Sequence, residues 1–105
     1  MSIFTKRLKE ARCRSGLSQK QLGIKAGIDE FSASARMNQY ETGKHHPDLT
    51  TISRLCDVLN VPVAFMYSDD DDLAHIIATY PTLSPKDKQS ILAITKTKRN
   101  ETKLN

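Results

Sequence analysis

Three long hydrogen-bonding side chains lie close together near the middle of the chain, at Arg36, Asn38 and Gln39. A helix that turns Met37 and Tyr40 toward a core would leave these three on its exposed side. Arginine can donate two hydrogen bonds to guanine, and asparagine or glutamine can pair with adenine in a similar way. Any surface helix carries polar residues, so simple solvent exposure is the competing interpretation. Three such groups on one face favour base recognition.

Two short helices are expected to position this cluster. Ser18 can cap the first of them by accepting a hydrogen bond from a backbone N–H, with Leu22 facing inward. Gly27 then ends that helix, because glycine adopts the left-handed conformation at little cost. A second helix is predicted over residues 32–42, ending at Gly43. Two short helices joined at an angle can present one of them to the DNA major groove, which is wide enough to admit it.

This stretch resembles the phage-repressor (Cro/repressor) type of helix-turn-helix protein, also called the xenobiotic-response-element family. The resemblance extends over roughly residues 4–67 and lies in Leu17-Ser18-Gln19, Leu22, Ala26-Gly27, Met37, Tyr40-Glu41-Thr42-Gly43-Lys44, Pro47, Leu49, Ile52, Leu55 and Leu59-Asn60-Val61. The segment between Gly27 and Met37 is a few residues longer than the family usually has. A longer turn, or a longer start to the third helix, is therefore expected.

The resemblance implies roles for individual residues. The base-reading positions of the third helix fall on Ser34, Ala35, Arg36 and Gln39, and Asn38 joins them as a DNA-binding candidate because asparagine can pair with adenine. Gln19, at the start of the second helix, takes the position that anchors a DNA phosphate. Lys44, on the loop after the third helix, is expected to contact the phosphate backbone. The positions that form an ion pair in the family are Arg12 and Glu41, which predicts a link between the first and third helices.

Charge is distributed unevenly along the 105 residues. Residues 1–46 carry a net charge of +5, residues 47–83 carry −5, and residues 84–105 carry +4. A basic first part fits a polyanionic partner such as nucleic acid. On charge alone, a solvated charged face is an equally good interpretation, and it is the helix-turn-helix pattern that favours DNA.

Membrane and catalytic functions receive little support from the sequence. No segment approaches the roughly 18 consecutive apolar residues of a membrane span, and the first residues lack the apolar core of a signal peptide. A cytoplasmic location without membrane contact is therefore expected. Single scattered glycines cannot build a phosphate-binding loop, and we find no nucleophile elbow or acid–base pair at a meaningful spacing. We therefore do not expect an enzyme.

Metal and redox chemistry are also disfavoured, and we expect no metal and no cofactor. His45 and His46 have no third ligand nearby in sequence. The acidic run at residues 69–72 lacks the spacing of a calcium loop and is better explained as a linker that caps the next helix. Cys13 and Cys56 are expected to be buried or half-buried thiols in a reducing compartment, with a redox-sensing pair as the minor alternative.

The fold class predicted is all-α, with a five-helix repressor-type bundle in residues 1–68 and two further helices in residues 69–105. Leu49, Ile52, Leu55, Cys56 and Leu59 are expected to line the buried face of the fourth helix, and a short fifth helix with Val63, Phe65, Met66 and Tyr67 to close the core. The last two helices are predicted at about residues 71–79 and 85–98. Residues 99–105 are expected to fray because they are polar.

The resemblance implies a sequence-specific transcriptional regulator, expected to be a repressor, that reads double-stranded operator DNA through the third helix. The apolar side chains within residues 73–98 could fold back on the core or form a homodimer interface, and the interface is favoured. An antitoxin that uses the same core and holds a toxin with its last helices is the alternative. An adaptor that uses the fold without DNA is a third possibility, disfavoured by the basic first helix and Arg36.

Overall fold

The computed structural model describes residues 2–104, which form α-helices joined by short connections. The helices are α1 (Ile3–Arg14), α2 (Gln19–Lys25), α3 (Ala33–Thr42), α4 (Leu49–Leu59), α5 (Asp71–Thr79) and α6 (Pro85–Leu104), with 3₁₀ turns at Val63–Tyr67 and Tyr80–Thr82. These residues contain no β-strand. The prediction of an all-α fold with additional C-terminal helices is confirmed.

Side-chain caps set where the helices begin. Ser18 Oγ accepts a hydrogen bond from the Gln21 backbone N–H at 3.0 Å, while Gln21 Oε1 accepts one from the Ser18 N–H at 2.9 Å. This reciprocal capping box satisfies two otherwise unpaired donors at the start of α2. Asp48 and Asp70 cap α4 and α5 through backbone N–H groups, each at 2.8 Å. The N–H of Thr51 stabilises the charged form of Asp48 and lowers the pKa of that carboxyl.

A single apolar core is shared by α1, α2, α3, α4, the first 3₁₀ turn and Ala74 of α5. Its buried side chains include Phe4, Leu8, Ala11, Leu22, Ala26, Met37, Tyr40, Ile52, Leu55, Cys56, Leu59, Phe65 and Met66. Gly23 sets how closely α2 and α3 approach, because a Cβ at that position would lie 2.9 Å from the Cβ of Ala33. The short α2 therefore packs directly against α3 and fixes its orientation.

Arg7 joins α5 to this core, a role that the sequence did not reveal. Arg7 is only 1% exposed, and its Nε donates to the Ser68 carbonyl at 2.7 Å. Its Nη1 and Nη2 donate to Glu10 and Asp71, each at 2.9 Å. Burial lowers the pKa of Arg7, but hydrogen bonds to these two carboxylates outweigh that effect and raise it. Ala74 of α5 is also buried, so contacts cross the predicted domain boundary at residue 68.

α6 leaves the packed body after its first turn. Lys88 is half-buried, with its Nζ 5.6 Å from the centre of the Tyr80 ring, whereas every side chain from Gln89 to Lys103 is exposed. Ser84 caps the helix by accepting from the Asp87 N–H at 3.1 Å. The molecule measures 56 × 28 × 22 Å along its principal axes. The long dimension reflects this projecting helix, which at 20 residues is roughly 30 Å long.

Several local predictions are wrong, each for a physical reason. Leu49 is 67% exposed because it lies one turn before the stripe that begins at Ile52, beyond the edge of the core. Tyr67 is 53% exposed because it ends a 3₁₀ turn whose buried side chains are Phe65 and Met66. Cys13 is exposed because it falls on the side of α1 opposite the apolar stripe.

The end of α6 also differs from the prediction. The helix runs to Leu104 instead of ending near Lys98, so the expectation of fraying is wrong for residues 99–104. Lysine, arginine and glutamate are good helix formers, and their polarity does not oppose a helix that lies in water. Lys98 and Glu101 also form an ion pair along this stretch at 3.3 Å. Asn105 lies outside the described residues.

Candidate nucleic-acid interface

α3 has one face in the core and one in solvent. Ala33 and Met37 are fully buried and Tyr40 is 8% exposed, so this side of the helix is fixed by packing. The other side carries Ser34, Ala35, Arg36, Asn38 and Gln39, which we call the recognition face. Four of these residues are exposed and Gln39 is half-buried. The residues of the third helix that the sequence singled out therefore all lie outside its fully packed side.

Gln19 connects the start of α2 to this face. Its Nε2 donates to Asn38 Oδ1 at 3.3 Å and to Glu41 Oε1 at 3.4 Å. The side chain is half-buried, and it sits in a shallow cleft lined by Lys9, Arg12, Gln19, Asn38, Glu41 and Thr42. The residue predicted to anchor a phosphate thus lies beside the residues predicted to read bases.

The predicted ion pair between Arg12 and Glu41 is present. Arg12 Nε and Nη2 donate to the two carboxylate oxygens of Glu41 at 2.6 and 3.0 Å. Arg12 Nη1 also donates to the Leu17 carbonyl at 2.9 Å. The hydrogen bonding of the Arg12 guanidinium to the Glu41 carboxylate outweighs burial and raises the pKa of Arg12. The pair holds α1, the α1–α2 connection and the end of α3 together, and so fixes the tilt of the recognition face.

The loop after α3 is held on both sides of Lys44. Gly43 ends the helix in the left-handed region, at φ +80°, and the His45 N–H donates to the Gln39 carbonyl at 3.2 Å. The His46 ring packs edge-on against Phe4, with centroids 4.7 Å apart. This contact was not predicted, since nothing in the sequence joins the two positions. The Lys44 side chain is exposed directly after the recognition face.

The connection between α2 and α3 is long, as the sequence predicted, and it is well anchored. Gly27 adopts φ +92°, and the Ile28 N–H donates to the Gly23 carbonyl at 2.9 Å. Asp29 Oδ2 accepts a hydrogen bond from the Phe31 N–H at 3.0 Å. Phe31 itself is 91% exposed, immediately before α3. Sequence reasoning missed this residue, although an aromatic side chain in a polar turn was a visible signal.

Residues 3–65 match the model of a family described as "Helix-turn-helix domain". The chain belongs to the helix-turn-helix family. This match covers α1 to the first 3₁₀ turn, and therefore all of the surface described above. DNA binding in transcription regulation is the function class of this family, which identifies the surface around α3 as a candidate nucleic-acid interface.

Two individual proteins are similar to this helix-turn-helix chain. The SPbeta prophage-derived uncharacterized HTH-type transcriptional regulator YonR of Bacillus subtilis (strain 168) is 34% identical over 64 residues, which are 61% of this chain and 56% of that protein. The match thus spans just over half the length of YonR. A crystal structure of the transcriptional regulator BswR superposes with a TM-score of 0.83 at 46% identity, covering 92% of this chain and 94% of that chain.

Across residues 2–104, no group of three or more His, Cys, Asp or Glu side chains is arranged to hold a metal ion. Within that range, too, no helix combines the length and apolar character that crossing a membrane requires.

Proposed function

We propose that this helix-turn-helix chain is a sequence-specific transcriptional repressor that reads operator DNA in the major groove through α3. The observation that carries the proposal is the division of α3 into a packed face and a recognition face. Packing of Met37 and Tyr40 holds the helix still, while Arg36 and Asn38 extend into solvent with donors and acceptors that match base edges. A fixed helix loses little further freedom on binding, which favours recognition.

The side chains divide the work between base recognition and phosphate contact. Arg36 is suited to guanine O6 and N7, and Asn38 and Gln39 to adenine. Gln19 lies beside Asn38 and Lys44 follows α3 on the next loop, and from these positions both can contact backbone phosphates and set the register of the helix. Ser34 and Ala35, at the N-terminal end of α3, are small enough to allow close approach to the bases.

Selection of bound duplexes from a random DNA pool tests this proposal. The protein should enrich a defined sequence, and Arg36→Ala should weaken binding to it by about 1–3 kcal/mol and relax the preference at one position. Lys44→Ala should lower the affinity for all DNA sequences alike and reduce the salt dependence of binding. Lys103→Ala, which removes the same charge near the far end of α6, serves as the control. Unchanged affinity and preference in Arg36→Ala would show that α3 is not the reading helix.

We further propose that the protein acts as a homodimer formed through α5 and α6. The large apolar side chains that these helices and the turn between them expose are Leu73, Ile76, Tyr80, Ile91, Leu92 and Ile94. Exposed apolar surface of this extent usually marks an interface. One helix-turn-helix module contacts few base pairs, and a symmetric pair doubles the contacts on an inverted repeat. The opposite charges of residues 47–83 and 84–105 favour contact between copies.

Sedimentation of a shortened chain tests the homodimer. A chain ending after Leu83 keeps Arg7 bonded to Ser68 and Asp71, so it should fold, sediment as a monomer and retain only weak, salt-sensitive DNA binding. In the full chain, Ile91→Lys should disrupt the dimer, whereas Ala93→Lys, about 160° around the axis of α6 from Ile91, should not. A full-length protein that is monomeric at tens of micromolar without DNA would contradict the proposal. Co-purification of a toxin bound to α6 would instead support the antitoxin alternative.

A further inference from the structure

Phe31 exposes more of its surface than any other large apolar side chain among the described residues. It is 91% exposed, whereas the next, Leu49, is 67% exposed. Covering such a ring stabilises a contact by an amount that depends on the apolar area removed from water. The structure of the isolated chain provides no such cover for Phe31, so the ring is accessible to a partner.

The backbone around Phe31 is held in place. The Phe31 N–H donates to Asp29 Oδ2 at 3.0 Å, and the Ser32 N–H donates to the Asp29 carbonyl at 3.0 Å. Earlier in the same turn, Ile28 is half-buried against the core. The turn therefore presents the ring from a fixed position, which reduces the ordering cost when it meets a partner.

The location of the ring relates it to the recognition face. Phe31 lies directly before the N-terminal end of α3, the end that in helix-turn-helix proteins enters the groove and contacts base edges. Its neighbours Asp29 and Glu30 are negatively charged and disfavour a position over the phosphates. Of the groups that the major groove displays, the C5 methyl of thymine is the apolar one, and phenylalanine is among the side chains suited to it.

We propose that Phe31 is a specificity-determining residue that packs against the C5 methyl group of a thymine, next to the bases read by α3. The proposal rests on the proposed function, since it requires α3 to lie in the major groove. It adds to the hydrogen-bonding code of Arg36, Asn38 and Gln39 an apolar contact made from the lengthened turn.

Replacement of thymine by deoxyuridine, one position at a time, tests the contact directly. Deoxyuridine keeps the pairing and lacks only the methyl group. In the operator selected by the wild-type protein, replacing thymine by deoxyuridine at one position in each half-site should weaken binding by about fourfold. Phe31→Ala should bind the unmodified operator about tenfold more weakly per half-site and should no longer distinguish thymine from deoxyuridine at that position. Phe31→Leu, which remains apolar, should keep the distinction.

The outcomes separate this proposal from the proposed function. If the wild-type protein enriches no sequence, the proposed function fails and this contact with it. If Arg36→Ala alters the preference but Phe31→Ala binds like the wild type, only the role of Phe31 is refuted. Uniform weakening in Phe31→Ala without any methyl-sensitive position would assign the ring to the sugar–phosphate backbone and overturn the proposal. An unchanged melting temperature should accompany Phe31→Ala, because the ring is 91% exposed.

Discussion

Glu41→Gln should destabilise the fold strongly, although it changes only one atom. The Glu41 side chain is 4% exposed and accepts two hydrogen bonds from Arg12, which is 14% exposed. Breaking a fully buried pair by removing one charge costs about 3–5 kcal/mol, since the other charge stays buried without its partner. Arg12 reaches some water and keeps its bond to the Leu17 carbonyl, so we expect about 2–4 kcal/mol. For a domain of this size, that lowers the melting temperature by roughly 10–25 °C.

Thermal unfolding followed by circular dichroism measures this effect, and the chain offers a matched control. Glu101→Gln makes the same substitution in the Lys98–Glu101 pair, whose side chains are 73% and 55% exposed. An exposed pair contributes under about 1 kcal/mol, so the control should melt close to the wild type. A double variant with Arg12→Gln and Glu41→Gln should lose less than the two single variants together. If Glu41→Gln has the same melting temperature as Glu101→Gln, the Arg12–Glu41 pair does not hold α1 to α3.

Three other changes test further parts of the structure. Gly23→Ala should lower the unfolding free energy by about 1–2 kcal/mol despite the better helix propensity of alanine, because its Cβ would lie 2.9 Å from that of Ala33. Ala33→Gly in the same chain should restore only part of the melting temperature, because the contacts with Met37 Cγ at 3.1 Å and the carbonyl oxygen of residue 33 at 3.2 Å remain. At mildly alkaline pH a thiol reagent should modify exposed Cys13 and leave Cys56 unreacted until unfolding, since burial raises the pKa of Cys56 to about 11. Equal rates at both thiols would contradict the packing of α4. Hydrogen bonds from Arg7 and Lys6 lower the pKa of Asp71. The charged carboxylate therefore stabilises the fold above its unfolded pKa of about 3.9, and this stabilisation is lost as the pH falls through the lower folded pKa. Asp71→Asn should flatten the acid dependence of the melting temperature.

The features that the sequence predicted correctly depend on local patterns. The cap at Ser18 and the cap that the acidic run at residues 69–72 supplies to α5 are set by residues within one turn, and the buried stripe from Ile52 to Leu59 in α4 follows from helical spacing. The α5 boundaries, Asp71–Thr79, agree with the prediction because acidic residues mark its start and Tyr80-Pro81 its end. The pairing of Arg12 with Glu41 came from the family resemblance, and the assignment of individual recognition-face residues to DNA stays a prediction.

The features that were missed depend on contacts between distant residues. Arg7 lies in a basic helix and resembles its neighbours in sequence, yet its partners Ser68 and Asp71 are 61 and 64 positions away. Helical spacing places Arg7, unlike Lys6, on the same stripe as Phe4, Leu8 and Ala11, but it does not name the distant polar partners that a buried arginine needs. The exposure of Leu49 likewise depends on where the core ends, which a helical pattern does not specify. Gly23 was overlooked because its importance lies in the proximity of Ala33, a distance set by the packing of α2 on α3.

The anchoring of α5 by Arg7 has a consequence for how an operator would be measured. Since Arg7 fastens the start of α5 to the same body that carries α3, a dimer joined through α5 and α6 would hold its two recognition helices at one separation and one relative angle. Each base pair added between two half-sites moves them by about 3.4 Å and also rotates one about the DNA axis. The protein would then select operators by the distance between their half-sites as well as by the bases within them.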